Sequence, residues 1–575
     1  MAPLRHSMLT RMKRFLSSHA PLLLTLFLGL VVFLFWAFRY PFALTYQEQL
    51  QLFLFDGDYF FSRMAEPGGF ARYIAEFLVQ FYNGAAIGAL IIAVLYMLVQ
   101  RLTWLLMHLS SYDYYLLSFI PAIIIWYAMG DENVMLTYVV ALVVAMAVAL
   151  AWRRWTEKWA LWIRCVVVLL LIPVLYWLIG PMVLLVAVLM MPWMVAVNAV
   201  FYAFALMLLS AHYLPFPMTR VLLGISYYRV PMTLPYSLIA LPVLIWLLVL
   251  CTSKLPHPKQ WYVYVQALVM AILFLVPKTY GFDTRKYDLI EYDYLVRIGD
   301  WNAIIAKAEK RMPDLPMSVS ATNLALGMTN QLGERAFDFY QRGTGGLLPK
   351  FERNFATAQL TGEIYFNLGL VNTAQRFAFE AMEAIPNYNK SARVIKRLAE
   401  TNMINGQYDV ARKYLQMLEK TIFYRPWAQR TMAMLGDEKA INAHPLYGTL
   451  RQYRLQDDLL FSEQELDKIC GQLFKHNQQN KMAAEYLLLM PLLDRDIPRF
   501  MNFAQYIQSK IPYNPRSCQE GIAFAFMQQR QQPPQGLLSQ VMLQRMNSFA
   551  QIYYADKNSP ELEQFRNTVW YYLMK

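Results

Sequence analysis

The stretch that decides the fold lies near the N-terminus and reads Pro21-Leu-Leu-Leu-Thr-Leu-Phe-Leu-Gly-Leu-Val-Val-Phe-Leu-Phe-Trp-Ala-Phe38. It carries no charge, and a helix needs about 20 mostly apolar residues to cross the hydrocarbon core of a bilayer. Basic residues precede it at Arg5, Arg11 and Lys13, which favours a cytoplasmic N-terminal segment over residues 1–19. A cleaved signal peptide would be shorter and would end in small residues, whereas this run ends in aromatic ones. We therefore expect an uncleaved first membrane span.

Apolar runs of the same kind recur as far as Pro277. Each predicts a helix, because every backbone amide in the bilayer must find its partner within the segment. The predicted spans are residues 20–38, 77–99, 114–130, 133–151, 160–179, 182–212, 233–252 and 260–277. The sixth is too long for one ordinary span, and its Pro192 and Asn198 suit either a kinked long helix or two short spans. The chain therefore has eight or nine spans.

Basic loop residues favour nine spans. Arg101, the cluster Arg153–Lys158 and the cluster Lys254–Lys259 all lie on the cytoplasmic side if the sixth run is divided. With eight spans, the last cluster would lie outside and Arg220 with Arg229 inside. Nine spans place the C-terminal half outside the cytoplasm, and we expect a bacterial inner membrane with that half in the periplasm.

Composition agrees with a membrane protein and argues against other classes. The chain has 575 residues, of which 57% are hydrophobic and 16% charged, too apolar a balance for a soluble protein of this length. The net charge of +13 is explained by cytoplasmic loops, so nucleic acid is not an expected partner. The four cysteines form no CxxC metal site and leave room for one disulfide, between Cys470 and Cys518.

From Lys278 onward charged residues become frequent, and from about Lys286 the pattern changes to amphipathic helices separated by short polar turns. One stretch matches the spacing of a tetratricopeptide repeat at Gly362, Tyr365, Gly369, Ala374, Ala381 and Pro386. Residues 398–426 repeat the pattern, and residues 299–313 and 333–336 resemble degenerate copies. A capping box at Ser462–Glu465 and breaks at residues 512–515 and 531–536 predict further helices.

The predicted fold class is therefore all-α: a polytopic transmembrane bundle over residues 20–277, followed by a helical-repeat domain over residues 278–575. A stacked array of this kind has a concave face that suits a protein or peptide partner, and it carries no chemistry of its own. The alternative is that the array only covers the outer mouth of the membrane half.

Acidic residues occur in two loops on one predicted face of the membrane half. The loop after the first span contains Asp56-Gly57-Asp58 among aromatic and amide residues. A second, very short outer loop reads Gly130-Asp131-Glu132-Asn133. The mixture suits loops that lie at the membrane interface beside a polar cavity.

This arrangement of spans and acidic loops, over roughly the first half of the chain, resembles the GT-C class of membrane glycosyltransferases. Enzymes of that class are multi-pass proteins that take sugars from lipid-phosphate carriers, and acidic residues in their outer loops assist catalysis or bind a divalent metal. The resemblance implies that Asp56 or Asp58 holds the first-loop position and that Asp131 or Glu132 holds the second. The alternative is that Asp56 and Asp58 are solvated turn residues that cap a short interfacial helix.

Two arginines follow in a later loop. Arg220 and Arg229 would contact the carrier phosphate if that loop is outside, because a guanidinium fork fits phosphate well. Arginines that flank membrane spans also anchor to lipid headgroups, which is the competing interpretation.

Two functional hypotheses result. The first is a glycosyltransferase that moves a sugar from a polyprenyl-phosphate donor to an envelope acceptor, with the repeats presenting the acceptor or a partner. The second is a non-catalytic membrane scaffold whose repeats recruit an envelope complex. Convergence of the acidic residues on a lipid-accessible cavity would favour the enzyme, and their dispersal in solvent would favour the scaffold.

Overall fold

The computed structural model describes residues 19–109, 112–231, 233–252, 260–386, 389–455, 465–534 and 536–575. Over these residues the regular structure is helical, with two isolated β-bridges and no strand, which confirms the all-α prediction. The chain divides into two compact units. Unit 1 comprises the residues up to Tyr287 together with Pro386–Asn389 and Lys420–Phe423, and unit 2 comprises the rest. Both short segments follow the second helix of a repeat hairpin.

Unit 1 is built on a series of long apolar helices. Its α-helices are α1 (His19–Arg39), α2 (Pro41–Gln49), α3 (Gly57–Met64), α4 (Gly69–Val79), α5 (Ala85–Met107), α6 (Ile120–Ala128), α7 (Leu136–Trp155), α8 (Leu161–Ile179), α9 (Val183–Leu189), α10 (Trp193–Tyr213), α11 (Met218–Leu223), α12 (Tyr236–Thr252) and α13 (Gln260–Tyr280). Shorter 3-10 segments cover Gln80–Asn83, Tyr112–Phe119 and Gly180–Met182. Helix α7 packs against α4 and α5, and α10 packs against α8 and α9.

Five helical segments in the described part of the chain are long and apolar enough to cross a membrane. They are His19–Arg39, Ala85–Met107, Leu136–Trp155, Leu161–Leu189 and Trp193–Tyr213. Three shorter apolar helices, at Tyr114–Ala128, Tyr236–Thr252 and Tyr264–Pro277, coincide with the other predicted spans. The protein is therefore a helical membrane protein with several candidate spans, while the division into eight or nine stays a prediction.

The long sixth run breaks at Pro192 and not at Asn198. Helix α10 is continuous from Trp193 to Tyr213, so Asn198 lies inside it. Proline has no N–H to donate to a preceding turn, which explains why the helix begins just after Pro192. The residues before the break form α9, which continues from α8 across a turn at Gly180.

Unit 2 consists of helices, many of which pack against the next helix in the chain, and α14 (Thr284–Ile298) precedes them. Its helices are α15 (Trp301–Lys310), α16 (Pro316–Met328), α17 (Leu332–Arg335), α18 (Phe355–Leu368), α19 (Val371–Glu383), α20 (Ala392–Ile404), α21 (Tyr408–Glu419), α22 (Arg425–Ala433), α23 (Glu438–Ala443), α24 (Pro445–Tyr453), α25 (Leu466–His476), α26 (Lys481–Leu493), α27 (Ile497–Gln508), α28 (Arg516–Gln528), α29 (Gln540–Ala555) and α30 (Val569–Met574). The 3-10 segments Ala336–Asp338 and Pro560–Phe565 complete it.

The tetratricopeptide-like hairpin is the pair α18 and α19, and the next pair is α20 and α21. Gly369 ends α18 with φ of 97°, a left-handed conformation that glycine adopts at low cost. The proposed copy at residues 333–336 is only the single turn α17, so it is not a complete hairpin. Cys470 and Cys518 are both buried and unbridged, so the disulfide left open by the sequence does not form.

Some predictions lie outside the described residues. They are the basic N-terminal segment at Arg5, Arg11 and Lys13, the cluster Lys254–Lys259, and the first three residues of the capping box, 462–464.

Candidate functional site

The second acidic loop and the arginine loop form one structural element in unit 1. Val134 and Tyr228 make an isolated antiparallel bridge. The amide of Arg229 donates to the carbonyl of Asn133 at 2.7 Å. The structure therefore places Asp131 and Glu132 next to the loop that carries Arg220 and Arg229.

The two carboxylates of the second loop are held by protein donors. Asp131 accepts from the Tyr228 hydroxyl at 2.6 Å, and its other oxygen accepts from the backbone and side-chain amides of Asn133 at 2.9 and 3.0 Å. Glu132 is buried, accepts from the Asn133 side chain at 2.9 Å, and forms an ion pair with Lys286. Neither carboxylate is presented as a free base.

Both predicted arginines are buried, and each donates hydrogen bonds to backbone carbonyl oxygens. Arg220 donates to the carbonyls of Val230 and Tyr228 at 2.9 and 2.6 Å. Arg229 donates to the carbonyl of Leu50 at 3.0 Å. The Nε of each guanidinium has no hydrogen-bond partner. Part of the donor set of each arginine is therefore unused.

The charge of these arginines is not balanced by an adjacent carboxylate. Among the described residues, no carboxylate lies within ion-pair distance of Arg220 or Arg229. Burial lowers the pKa of Arg229 to about 10, against the attraction of Tyr46 and Glu132. Burial and the charge of Arg72 lower the pKa of Arg220. Both still carry a positive charge at neutral pH, and a buried cation without a counter-charge favours binding of an anion.

A buried ionic network that the sequence analysis did not identify lies beside Arg220. Glu76 accepts from the Tyr59 hydroxyl at 2.5 Å, from Nε of Arg63 at 2.7 Å and from Nε of Arg72 at 3.0 Å. Burial alone would raise the pKa of Glu76, but Arg72 and Arg63 hold it below its ordinary value. Arg72 and Glu76 are four residues apart on α4, a spacing visible in the sequence. The contributions of Tyr59 and Arg63 required the fold.

Two buried side-chain amides near these arginines also have N–H groups without a hydrogen-bond partner. The side-chain nitrogens of Gln51 and Asn389 lack a partner. Gln51 adjoins Leu50, the acceptor of Arg229, and the Oδ1 of Asn389 accepts from Arg72 at 2.9 Å. A buried donor that stays unpaired costs about 1–3 kcal/mol. Four such groups on connected residues indicate a place for a ligand rich in acceptor oxygens.

The first-loop carboxylates have different surroundings. Asp56 occupies the N-cap position of α3. Its carboxylate pairs with Lys420 at 2.6 Å, and hydrogen bonds from Lys420 and from the backbone of Asp58 and Gly57 lower the pKa of Asp56. The side chain of Asp58 is exposed in the first turn of α3. Asp56 thus holds the helix-capping position of the second interpretation, with its charge paired to Lys420.

No partner is common to the first-loop and second-loop carboxylates. Asp56 pairs with Lys420, whereas Asp131 and Glu132 pair with Tyr228, Asn133 and Lys286. In the described part of the chain, no three His, Cys, Asp or Glu side chains are grouped to hold a metal. Within those residues, a metal site made only of protein carboxylates and imidazoles is not present.

An apolar cavity of about 300 Å³ lies next to the arginine loop. It is lined by residues of α7, α9, α11 and α12, and its wall includes Tyr138, Tyr227, Leu238 and Trp246. Tyr227 directly precedes Tyr228, whose carbonyl accepts from Arg220. An apolar cavity therefore adjoins a cationic, donor-rich loop.

Comparisons with known proteins identify the family but no activity. No curated protein and no solved structure matches the chain. A protein-family model, described as a family of unknown function (DUF6057), matches residues 16–575. The match covers nearly the whole sequence, so the chain belongs to the DUF6057 family.

Proposed function

We propose that this protein is a glycosyltransferase-like membrane protein that takes a sugar from a polyprenyl-phosphate donor and passes it to an envelope acceptor, in a bacterial inner membrane. The observation that carries the proposal is the buried pair Arg220 and Arg229, each with an unpartnered Nε and without a carboxylate partner among the described residues. A phosphate would supply both the missing acceptors and the missing negative charge.

The apolar cavity supports a lipid-linked phosphate over a free one. Its wall includes residues of the candidate membrane spans Leu136–Trp155 and Leu161–Leu189, and Tyr227 joins it to the arginine loop. An isoprenoid chain in the cavity would place its phosphate end toward Arg220 and Arg229. In this proposal the polyprenyl-phosphate sugar donor reaches the site from the bilayer.

In this proposal the guanidinium groups stabilise the charge that develops on the phosphate as the glycosyl bond breaks. Asp58 is the carboxylate available to accept the acceptor's proton, because Asp56, Asp131 and Glu132 are held by protein donors. The divalent ion that the resemblance implies would bind through one carboxylate and the donor phosphate, as Mg²⁺ commonly does, and not through a protein cluster.

The binding step is tested with the full-length protein in nanodiscs and a short-chain polyprenyl phosphate. We expect Arg229→Gln and Arg220→Gln each to weaken binding by about tenfold or more, the value of one charge-assisted hydrogen bond. Arg164→Gln is the matched control, because Arg164 is a half-buried arginine of α8 whose hydrogen bonds go to backbone carbonyls, as those of Arg220 do. Equal affinities in all three variants would refute the phosphate site.

The transfer step is tested separately. With a polyprenyl-phosphate sugar as donor, Asp58→Asn should abolish transfer and leave expression and donor binding unchanged. Asp56→Asn, which loses only the pair with Lys420, should retain activity. If Asp56→Asn lost transfer activity and Asp58→Asn kept it, Asp56 and not Asp58 would be the base.

A non-catalytic scaffold is the second candidate, and the paired state of Asp56, Asp131 and Glu132 favours it. A scaffold would bind the lipid phosphate without turnover and bind a protein or peptide partner through the repeats. Unchanged donor after prolonged incubation, with intact phosphate binding, would support this candidate over the enzyme.

The orientation is part of the proposal. Nine spans with a cytoplasmic N-terminus place the repeats outside, in the periplasm, where they would present the acceptor or a partner. A reporter fused after Lys575 that is active only in the cytoplasm should be silent. An active reporter would place the repeats inside and remove their role in presenting an acceptor.

A further inference from the structure

Unit 2 contains a cavity of about 370 Å³ that neither functional hypothesis uses. It lies between α30, the segment Phe337–Gln341 and the turn at Arg495. The volume is within the usual range for sites that bind small molecules. All of its lining belongs to one compact unit, so the cavity is a property of that unit alone.

Three basic residues line this cavity: Arg495, Arg566 and Lys575. All three are exposed, and within the described part of the chain none of them pairs with a carboxylate. The carboxylate in the wall, Asp338, is already bound to Arg516 at 2.9 Å. The lining side chains therefore carry three positive charges against one carboxylate, and that carboxylate is already paired.

Five aromatic residues also line the cavity, and two of the cations lie over aromatic rings. The guanidinium of Arg495 is 5.5 Å from the centre of the Tyr572 ring, and the ammonium of Lys575 is 5.4 Å from that of Tyr571. The hydroxyl of Tyr572 donates to the carbonyl of Leu493 at 2.8 Å. Since that hydroxyl is engaged within the protein, Tyr572 offers the cavity chiefly its ring.

Cations beside aromatic faces match one class of ligand. Carboxylate or phosphate groups bind guanidinium forks, and the C–H faces of a pyranose ring pack on aromatic rings. We propose that this cavity binds a short anionic saccharide, one to two residues long. An extended peptide would need backbone donors and acceptors along a groove, and the polar groups here are chiefly cations and side-chain amides. The site is independent of the phosphate site of unit 1.

The test uses full-length protein in detergent micelles and isothermal titration with a galacturonic acid disaccharide. The neutral control ligand is its dimethyl ester, which has nearly the same shape without the charge. We expect the acid to bind, and the ester to bind at least about tenfold more weakly because it cannot form charge-assisted bonds. Salt should weaken binding of the acid and leave the ester unaffected.

Variants locate the binding. Arg495→Gln and Arg566→Gln should each weaken binding of the acid by about fivefold or more, as expected for loss of one exposed charge-assisted contact. Arg530→Gln is the matched control, because Arg530 is exposed, lies outside the cavity, and has a positive φ like Arg495, 55° against 62°.

Three results would overturn the proposal. They are absence of binding, equal affinity for acid and ester, and an equal loss in Arg530→Gln, which would indicate general charge attraction. Tighter binding of triglutamate than of the disaccharide would assign the cavity to acidic peptides instead. Polyprenyl-phosphate binding measured in the same variants should be unchanged, which separates this site from that of unit 1.

Discussion

The hydroxyl of Tyr228 donates a 2.6 Å hydrogen bond to Oδ2 of Asp131. The same tyrosine forms the backbone bridge to Val134, and its carbonyl accepts from Arg220. One residue therefore joins the second acidic loop to the arginine loop and helps to fix the direction of a buried guanidinium.

Changing Tyr228 to Phe should loosen this junction. The variant loses a hydrogen bond to a carboxylate, and we expect the free energy of unfolding to fall by about 1–2 kcal/mol because such bonds contribute more than neutral ones. Phosphate binding should weaken as well, since the loop that holds Arg220 is less constrained. Thermal unfolding and lipid-phosphate titration measure the two effects, and Tyr236→Phe, at a fully exposed tyrosine, should change neither.

The ionic network of Glu76 should be a major source of stability in unit 1. Glu76→Gln leaves the buried Arg72 and the half-buried Arg63 with too little counter-charge, and we expect the free energy of unfolding to fall by about 3 kcal/mol or more. Glu66→Gln is the comparison, because Glu66 also pairs with Arg72, at 2.8 Å, but is partly exposed. It should cost less than about 1 kcal/mol. Equal destabilisation in thermal unfolding would contradict the importance of burial.

The stability of unit 2 should depend on the protonation of Glu485. Its Oε1 accepts from the Tyr513 hydroxyl at 2.6 Å, and its Oε2 has no partner. Burial raises the pKa of Glu485 from 4.5 to about 7. The folded state thus binds this proton more tightly than the unfolded state. Protonated Glu485 therefore stabilises the fold fully below pH 4.5, and this stabilisation is lost as the pH rises through about 7.

This loss is measured by melting temperatures of the full-length protein between about pH 5 and 8, the range over which such a carboxyl titrates. The free energy of unfolding should fall by about 3 kcal/mol at most. Glu485→Gln keeps the acceptor for Tyr513 and should flatten the dependence. Glu334→Gln, at an exposed carboxylate nearby, should leave it in place. A profile for Glu485→Gln that is as steep as that of the unchanged protein would refute the assignment.

Two glycines in left-handed conformations should respond differently to alanine. At Gly369, with φ of 97°, a methyl group would lie 2.7 Å from Cβ of Tyr453, whereas at Gly406, with φ of 77°, nothing lies within 4 Å. Gly406→Ala should cost about 1 kcal/mol, for the backbone alone. Gly369→Ala should cost roughly 2–4 kcal/mol, because overpacking adds to it. Equal unfolding midpoints in denaturant would show that α24 moves freely away from this contact.

The helical class and the membrane half could be predicted because their causes are local. The run from Pro21 to Phe38 predicts a span from its own length and composition, and α1 covers it. The spacing from Gly362 to Pro386 predicted the hairpin of α18 and α19 for the same reason. The positions of breaks in the long apolar runs were harder to predict. The sixth run breaks at Pro192, which lacks an N–H group, whereas Asn198 lies within α10, because a polar side chain leaves the backbone hydrogen bonds intact.

The candidate site could be predicted only in part. Asp131, Glu132, Arg220 and Arg229 were chosen from residue type and loop position, and the structure brings their loops together. The partners of Asp56 could not be predicted, because Lys420 is 364 residues away in the chain. The network around Glu76 has partners 4 to 17 residues away in the chain, but the contacts with Tyr59 and Arg63 depend on how α3 packs against α4.

By itself, the sequence determined that the chain is helical, that its first half is apolar enough for a bilayer, and that repeats follow, since hydrophobic burial and helical hydrogen bonding depend on residues a few positions apart. Only the tertiary structure decided which charges are neutralised. It pairs Glu76 with Arg63 and Arg72, and gives Arg220 and Arg229 backbone carbonyls in place of carboxylates. Electrostatic energy depends on distance and burial in space, and neither can be read from separation along the chain.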